Sequence, residues 1–159
     1  MVENKSGNKK VIGATPCHYD GIDFDSDLEK KSYILLQKEG FLPQYTPRTF
    51  DVFEGKKFSV PFYSIYYDRK LKKKVWGKNR YKVRNIGYTP DFIFNVIDSS
   101  GTEIMIVIEV KGYPNETYMY RKKLFQLLLE EKYPNSMFFE THNLKQLKAA
   151  IEVIKSIKQ

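Results

Sequence analysis

The stretch GYTPDFIFNVIDSSGTEIMIVIEVKGY, residues 87–113, contains two apolar segments around a short polar turn. Residues 103–111 alternate with period two, which is the pattern of a β-strand with two different faces. The turn sequence SSG at residues 99–101 suits a three-residue hairpin loop, because glycine accepts a positive φ. We therefore predict a β-hairpin in which Asp98 pairs with Thr102.

Three ionisable residues lie at the far end of this predicted hairpin. Counting outward from the turn places Asp91 opposite Glu109, with Cβ atoms about 5 Å apart on the same face of the sheet. Lys111 lies two residues beyond Glu109 and projects from the same side of its strand. The register therefore brings two carboxylates and one ammonium together.

Two carboxylates that face each other destabilise a sheet unless a cation lies between them. Mg²⁺ prefers oxygen ligands and is commonly held by one or two carboxylates together with a substrate phosphate. A lysine beside such an ion can orient a water or offset charge that develops on phosphorus. The alternative is a structural ion pair at a strand end, with Asp91 as an ordinary turn residue after Pro90. The acid at the matching place on the neighbouring strand favours the metal site.

The composition is that of a folded, basic domain. Hydrophobic residues make up 42% of the 159 residues, enough for one domain with a core. One cysteine allows no internal disulfide, and two histidines favour oxygen ligands over a histidine-rich metal site. No apolar run approaches the roughly 20 residues of a membrane span, and the polar start lacks a signal-peptide core. We therefore expect a cytoplasmic protein that does not bind membranes.

Much of the positive charge lies in one window, RKLKKKVWGKNRYKVR, residues 69–84. This window holds nine Lys or Arg and no acid, whereas the whole chain has a net charge of +8. Trp76 and Tyr81 lie among the cations, and this combination suits a polyanion with bases that can stack. We predict a hairpin that turns at residues 77–79 and binds nucleic acid, rather than a solvated loop or a membrane-surface segment. The predicted backbone contacts are Lys72, Lys73, Lys74, Arg80 and Lys82.

The rest of the chain predicts alternating helices and strands around this hairpin. We expect a flexible leader over residues 1–18 and a single domain over residues 19–159 that carries the basic window as an insertion. Ser26 followed by Glu29 is a capping-box pattern, which predicts a helix that starts near Asp27 and stops at Gly40. The remaining predicted elements are short strands within residues 43–68, a helix from Asn115 to Pro134 with an apolar stripe of Met119 or Tyr120, Leu124, Leu127 and Leu128, a strand near residues 136–142 and a helix over residues 143–159. This order predicts an α/β fold with a mixed central β-sheet flanked by helices.

The ordered set of these residues resembles the PD-(D/E)XK superfamily, the restriction-endonuclease-like nucleases. The matching features are PD at residues 90–91 on a strand start, EVK at residues 109–111 on the next strand, an acid on an upstream helix and basic residues on a downstream helix. The resemblance covers residues 20 to about 132. It looks most like small phage endonucleases, Holliday-junction resolvases and the endonuclease subunits of some transposition systems.

This resemblance implies a restriction-endonuclease-like fold and a metal-dependent endodeoxyribonuclease that hydrolyses DNA phosphodiesters. It implies that Asp91 and Glu109 bind Mg²⁺ or Mn²⁺ and that the carbonyl of Val110 adds a ligand. Lys111 would orient the attacking water. Glu29 would complete the acidic cluster from the first helix, although a helix-capping role for the same residue needs no metal and stays open.

The resemblance also bears on substrate and partners. Arg121 and Lys122 match the basic positions of the downstream helix and are predicted phosphate contacts. Backbone contacts give affinity without base sequence, and so small a chain has little room for a base-reading domain. We therefore expect a structure-selective enzyme of phage or mobile-element type, acting on junctions or branched DNA (in the host cytoplasm if phage-encoded). Two-strand cleavage needs two sites, which fits a homodimer. The alternative function is a non-catalytic nucleic-acid-binding or structural phage protein that retains the fold.

Overall fold

The computed structural model describes residues 15–79, 82–112 and 116–158. In chain order these residues form β1 (Cys17–Tyr19), β2 (Ile22–Phe24), α1 (Asp27–Lys38), β3 (Gln44–Tyr45), β4 (Phe50–Phe53), β5 (Phe62–Asp68), β6 (Lys73–Asn79), β7 (Ile86–Tyr88), β8 (Phe92–Ile97), β9 (Glu103–Val110), α2 (Glu116–Lys132), β10 (Ser136–Thr141) and α3 (Leu144–Ser156). The predicted α/β class is confirmed.

A four-stranded sheet with the order β10-β9-β8-β3 forms the centre of the molecule. Strand β8 pairs antiparallel with both β9 and β3, whereas β10 pairs parallel with β9. The parallel pair requires a long crossover between β9 and β10, and α2 lies in that connection. The sheet is therefore mixed, as the order of elements predicted.

The hairpin that joins β8 to β9 has the predicted register. Its pairs run outward from the turn to Phe92 opposite Ile108. At the turn the N–H of Asp98 donates to the carbonyl of Thr102 at 2.9 Å, and Gly101 has a φ of +85°. Local alternation and turn chemistry together were sufficient to set this pairing.

The two faces of β9 enter two hydrophobic cores, so helices cover both sides of the sheet. The first core lies under α1 and α3 and includes Phe24, Tyr33, Leu36, Phe92, Phe94, Ile106, Ile108, Leu147, Ile151 and Ile154. The second core lies under α2 on the opposite face and includes Phe50, Tyr88, Ile93, Val107, Tyr118, Phe125 and Leu129. This second face carries the end of β9 at which the predicted site lies.

Side-chain caps begin the helices α1 and α3. The hydroxyl oxygen of Ser26 accepts from the N–H of Glu29 at 3.2 Å, and the side chain of Asn143 accepts from the N–H of Gln146 at 3.0 Å. Each cap satisfies one of the backbone donors that a helix start leaves unpaired. The predicted start of α1 after Ser26 and its end before Gly40 are confirmed.

The predicted apolar stripe of α2 is wrong in part: Leu124 and Leu128 are partly buried, and Leu128 packs against the second core, but the other members are exposed. Tyr120 and Leu127 are 69% and 60% exposed, whereas Tyr118, Phe125 and Leu129 are buried. The predicted and the observed residues both have the spacing of one helix face. The helix packs the face that carries Phe125 against the aromatic residues of the second core.

Strands β5 and β6 form a separate two-stranded antiparallel sheet, which we call the basic hairpin. Its turn lies at residues 69–72, where Lys72 has a φ of +49° and the carboxylate of Asp68 accepts from the N–H groups of Lys70 and Leu71. The predicted turn at residues 77–79 is wrong.

Gly77 lies within β6, and the ring of Tyr66 covers it. A Cβ atom added at Gly77 would lie only 2.2 Å from Cε1 of that ring. The strand that pairs with β6 is β5, which precedes the basic window, so the turn of the hairpin comes before Gly77. The glycine therefore marks a close side-chain approach and not a turn.

The N-terminal part of the domain begins earlier than predicted. Strands β1 and β2 form a short hairpin in which Cys17 faces Phe24, so residues 17–18 do not belong to a leader. Residues 1–14 of the predicted leader lie outside the described residues. Within the described ranges, no helix is both long and apolar enough to span a membrane.

Candidate active site

The ends of β8 and β9 bring together the three residues on which the sequence prediction depends. One step outward from the last observed pair puts Asp91 beside Glu109. The carboxylate of Asp91 accepts from the N–H of Val110 at 2.7 Å, and Nζ of Lys111 lies 3.3 Å from Oε1 of Glu109. Two carboxylates and one ammonium therefore converge at this strand end.

Glu109 is the most buried acid of this group, with 3% of its surface exposed. Among the described residues, its Oε2 makes no hydrogen bond of normal geometry, although the hydroxyl of Tyr88 lies close enough to lower the pKa of Glu109. Burial raises the pKa of Glu109, and the ammonium of Lys111 opposes that effect only in part. A buried carboxylate oxygen that lacks a well-formed hydrogen bond costs free energy, and a bound cation would remove that cost.

Asp91 is half-buried beside Glu109, and the charge of Glu109 affects its pKa. Burial raises the pKa of Asp91 well above its usual range, and the charges of Glu109 and then Glu29 raise it further. The N–H of Val110 and the ammonium of Lys111 lower it, but they do not compensate. Two carboxyl groups with raised pKa values share this site, which is a property of functional acid pairs.

Glu29 lies close enough to act on Asp91, but its own oxygens have partners. Oε1 accepts from the hydroxyl of Ser26 at 2.8 Å, and Oε2 accepts from the hydroxyl of Tyr45. Tyr45 belongs to β3 and pairs with Phe92, so this hydroxyl fixes α1 against the sheet. Glu29 therefore serves the start of α1 and contributes negative charge to the site.

The donor set fits a hard divalent cation that is held by few protein ligands. The described residues contain no group of three or more His, Cys, Asp or Glu arranged to hold a metal ion. Asp91 and Glu109 remain as a pair, and Mg²⁺ commonly binds one or two carboxylates and retains waters or substrate oxygens. The roles of Glu29 and of the Val110 carbonyl as ligands stay predictions.

A second charged group, which the sequence did not predict, extends the site across β10. Glu140 pairs with Glu109 in the parallel register, and its carboxylate accepts from Nζ of Lys122 and, at 3.0 Å, from the hydroxyl of Tyr118. Burial opposes the ionisation of Glu140, but these two donors outweigh it and lower its pKa. Lys122, a predicted phosphate contact, forms an ion pair with Glu140 in this structure.

This group also contacts the segment around Lys111. Nδ1 of His142 lies 2.6 Å from the carbonyl oxygen of Lys111, and its Nε2 lies 3.2 Å from Oε1 of Glu140. The ammonium of Lys111 lies 4.9 Å from the ring centroid of Tyr118. The alternating positions 138, 140 and 142 of the segment FFETH were the only local sequence signal that Glu140 and His142 share a face. Tyr118 gave no such signal, because it lies on a different element, α2.

A family model described as a protein of unknown function, DUF1064, matches residues 8–149. The chain belongs to the DUF1064 family. Every residue of the site described above lies within the matched range of this DUF1064 chain. Comparison with curated proteins and with solved structures gave no match.

The remaining predicted contacts of the DUF1064 chain lie on its surface. Lys72, Lys73 and Lys74 are exposed at the tip of the basic hairpin, and Lys82 is exposed after it. Arg121 is exposed on α2, next to Lys122 in the sequence. Arg80 lies outside the described residues. The structure therefore leaves the hairpin lysines and Arg121 accessible to a large anionic partner.

Proposed function

We propose that this protein is a metal-dependent endodeoxyribonuclease. The observation that carries the proposal is the convergence of Asp91, Glu109 and Lys111, with a buried Glu109 oxygen that makes no hydrogen bond of normal geometry among the described residues. A structural ion pair does not need a second carboxylate with a raised pKa beside the first. A divalent cation accounts for both carboxylates at once.

The fold supports the same proposal at a coarser level. A mixed sheet with helices on both faces holds the acids at neighbouring strand ends, and an acid on α1 approaches them from the first-core side. This arrangement agrees with the restriction-endonuclease-like fold that the sequence resemblance implies.

The proposed reaction is hydrolysis of a DNA phosphodiester by water. The water oxygen attacks phosphorus, the bond from phosphorus to the 3′ oxygen breaks, and the leaving oxygen takes up a proton. Asp91 and Glu109 would hold Mg²⁺ or Mn²⁺, which when bound makes water more acidic and offsets charge on the phosphate. Lys111 donates a hydrogen bond that orients the water, and its ammonium stabilises the charge that builds on phosphorus.

The neighbouring residues keep this group in place. The contact of His142 with the Lys111 carbonyl fixes the backbone just beyond β9, and the ring of Tyr118 limits where the lysine ammonium can lie. Glu29 adds negative charge that favours cation binding. We assign backbone contacts to Lys72, Lys73, Lys74 and Lys82, and we assign Arg121 rather than Lys122 to the phosphate nearest α2.

The test is a cleavage panel with linear duplex, single-stranded, flap and four-way-junction DNA, in Mg²⁺ or in EDTA. We expect nicking in Mg²⁺ that is greatest on branched substrates, is absent in EDTA, and is lost in Asp91→Ala. Glu54→Ala, which removes an exposed acid after β4, is the control and should cleave normally. Equal cleavage by Asp91→Ala and wild type would contradict the assignment of Asp91 to the active site.

The second candidate is a non-catalytic DNA-binding protein with the same fold. It is favoured by the observation that Lys111 already pairs with Glu109 and that both oxygens of Glu29 accept hydrogen bonds. Under this alternative, wild type binds branched DNA equally in Mg²⁺ and EDTA and produces no nicks. Glu109→Gln would then leave binding unchanged.

A further inference from the structure

One face of the basic hairpin combines exposed aromatic rings with lysines. In the observed register Tyr63 faces Lys78, Ile65 faces Trp76, and Tyr67 faces Lys74. Facing residues of an antiparallel pair lie on the same side, and alternate residues of one strand do so as well. These six residues therefore share one side, which we call the aromatic–lysine face.

This face is open to solvent. Its aromatic residues Tyr63, Tyr67 and Trp76 are 59%, 58% and 69% exposed, and among the described residues β5 and β6 pair with no other strand. An isolated two-stranded hairpin is marginally stable in water, and clustered exposed apolar groups mark interaction surfaces. The fold has therefore placed three aromatic rings where they contribute little to a core.

The opposite face uses its aromatic residues differently. The ring of Tyr66 lies over Gly77, and Phe62 packs edge-on against Phe58 with ring centroids 5.4 Å apart. The acid of the hairpin, Asp68, also belongs to this side, where it faces Lys73 and caps the turn. The aromatic–lysine face thus carries cations without an acid, and its rings have no comparable intramolecular contact within the described hairpin.

The chemistry of this face fits nucleotides. Lysines at both ends of the ring series suit phosphates, and aromatic rings suit the flat faces of bases. Diagonal neighbours on two paired strands are about 7–8 Å apart, more than twice the 3.4 Å rise of stacked bases in a duplex. Bases inside a duplex also expose no flat face to a ring. The spacing therefore selects nucleotides that are unpaired and unstacked.

We propose that the aromatic–lysine face binds unpaired nucleotides of single-stranded DNA, with bases stacked on Trp76 and Tyr67 and phosphates held by Lys74 and Lys78. This inference deepens the proposed function, on which its biological meaning rests, because it names the single-stranded arm of a branched substrate as the part that the hairpin grips. The active site at the strand ends would then act on the duplex beside that arm.

Trp76 provides a direct test, because it is the only tryptophan of the chain. The full-length protein is titrated in EDTA with an oligothymidylate of about 15 nucleotides, a length suited to a stacking groove, and with a duplex of the same length. We expect the single strand to quench the Trp76 fluorescence strongly and the duplex to leave it nearly unchanged. The affinity is measured in parallel from the anisotropy of labelled oligonucleotide.

Variants on the two faces provide the matched comparison. Trp76→Leu and Tyr67→Leu should each weaken single-strand binding by about 5- to 150-fold, the range expected for loss of one stacked base. Trp76→Phe keeps a ring and should stay within about threefold of wild type. Tyr66→Leu, one residue along on the opposite face, should bind nearly as wild type.

Several results would overturn the proposal. These are an unchanged fluorescence at saturating single strand, equal losses for Tyr66→Leu and Tyr67→Leu, and variants that alter oligomeric state while single-strand binding stays constant. The last result would assign the face to a second copy of the chain. Since binding is measured without metal, a failure here leaves cleavage by wild type intact, and an inactive wild type that still binds single strands would refute only the nuclease.

Discussion

The pair Asp91 and Glu109 places two acids in an environment that opposes their ionisation. Burial raises the pKa of both, and the negative charges of Glu109 and Glu29 act in the same direction on Asp91. A partner ammonium, Lys111, is present but lies nearer to Glu109. Stability alone does not require two carboxyl groups with raised pKa values side by side, so this pair supports the proposed cation.

A neutral replacement of Asp91 should stabilise the metal-free protein. In the unfolded chain this carboxyl loses its proton near its usual value of about 4, whereas in the folded chain it does so at a higher pH. The folded state therefore binds more protons across that window, and the free energy of unfolding falls as pH rises. Asp91→Asn removes this loss of unfolding free energy at high pH, and the amide oxygen of the asparagine can still accept from the N–H of Val110.

We expect Asp91→Asn to raise the melting temperature in EDTA near pH 8 by about 2–4 °C, which corresponds to about 1 kcal/mol for a domain of this size. The difference should shrink as pH falls below about 4, where the Asp91 carboxyl is protonated in both the folded and the unfolded chain. Glu54→Gln, with the same change in charge at an exposed position, should show no such trend. Mg²⁺ at about 100 times its Kd should stabilise wild type by about 2.7 kcal/mol and the variant much less. A variant less stable than wild type at both pH values would contradict this account.

Among the elements, those with local signals were predictable and those that depend on a distant partner were not. The β8–β9 register followed from alternation and a turn within one continuous stretch. The turn of the basic hairpin was misplaced because residues 69–72 and 77–79 both have turn-like sequences, and only pairing with β5 distinguishes them. The face of α2 was misjudged in part for a related reason, since the second core on which it packs draws on five strands, β4, β7, β8, β9 and β10.

The candidate site shows the same division. Asp91, Glu109 and Lys111 lie within one hairpin and could be placed together from sequence. Glu140 reaches the site through the parallel pairing of β10, and Tyr118 through the packing of α2, so neither had a local signal. Residues that support a site from other elements become visible only when the tertiary structure is known.

The tip of the basic hairpin should provide salt-sensitive affinity for duplex DNA. Lys72, Lys73 and Lys74 are exposed, and none of them forms an ion pair among the described residues, although Lys73 faces Asp68 across the hairpin. If each neutralises one phosphate, the triple alanine variant should lower the log–log salt slope by about 0.9 per contact, or about 2.7 in all. Replacing Lys72 by Ala keeps a Cβ at its positive φ, so the turn gains no new strain.

The matched control removes three exposed lysines elsewhere. Lys38, Lys145 and Lys148 lie on α1 and α3, away from the hairpin, and are also exposed. Their triple alanine variant has the same net charge as the hairpin variant and should retain most of the slope. Equal slopes for the two variants would mean that net charge, rather than the hairpin, governs DNA affinity.

At the scale of the whole molecule, the second core connects the strand end that carries Glu109 to α2. Phe125 stacks on Tyr88 with centroids 4.4 Å apart and contacts the rings of Phe50 and Phe138. Tyr88 in turn lies beside Glu109, and α2 also carries Tyr118 and Lys122 toward Glu140. One aromatic residue therefore joins three strands and a helix behind the site.

Phe125→Ala should consequently lower both stability and activity, while Leu127→Ala, on the exposed side of the same helix, should lower neither. The fully buried Phe125 leaves a cavity on truncation, and such changes cost about 3–5 kcal/mol, whereas exposed positions usually change stability by less than about 0.5 kcal/mol. Urea unfolding gives the two free energies, and cleavage at a temperature where both variants remain folded gives the activities.

Phe125→Leu refills part of the cavity and should recover most of the stability. If it recovers stability but leaves cleavage low, the aromatic packing positions Tyr88 and the strand end; if Phe125→Ala cleaves at the wild-type rate while folded, the second core does not position the site.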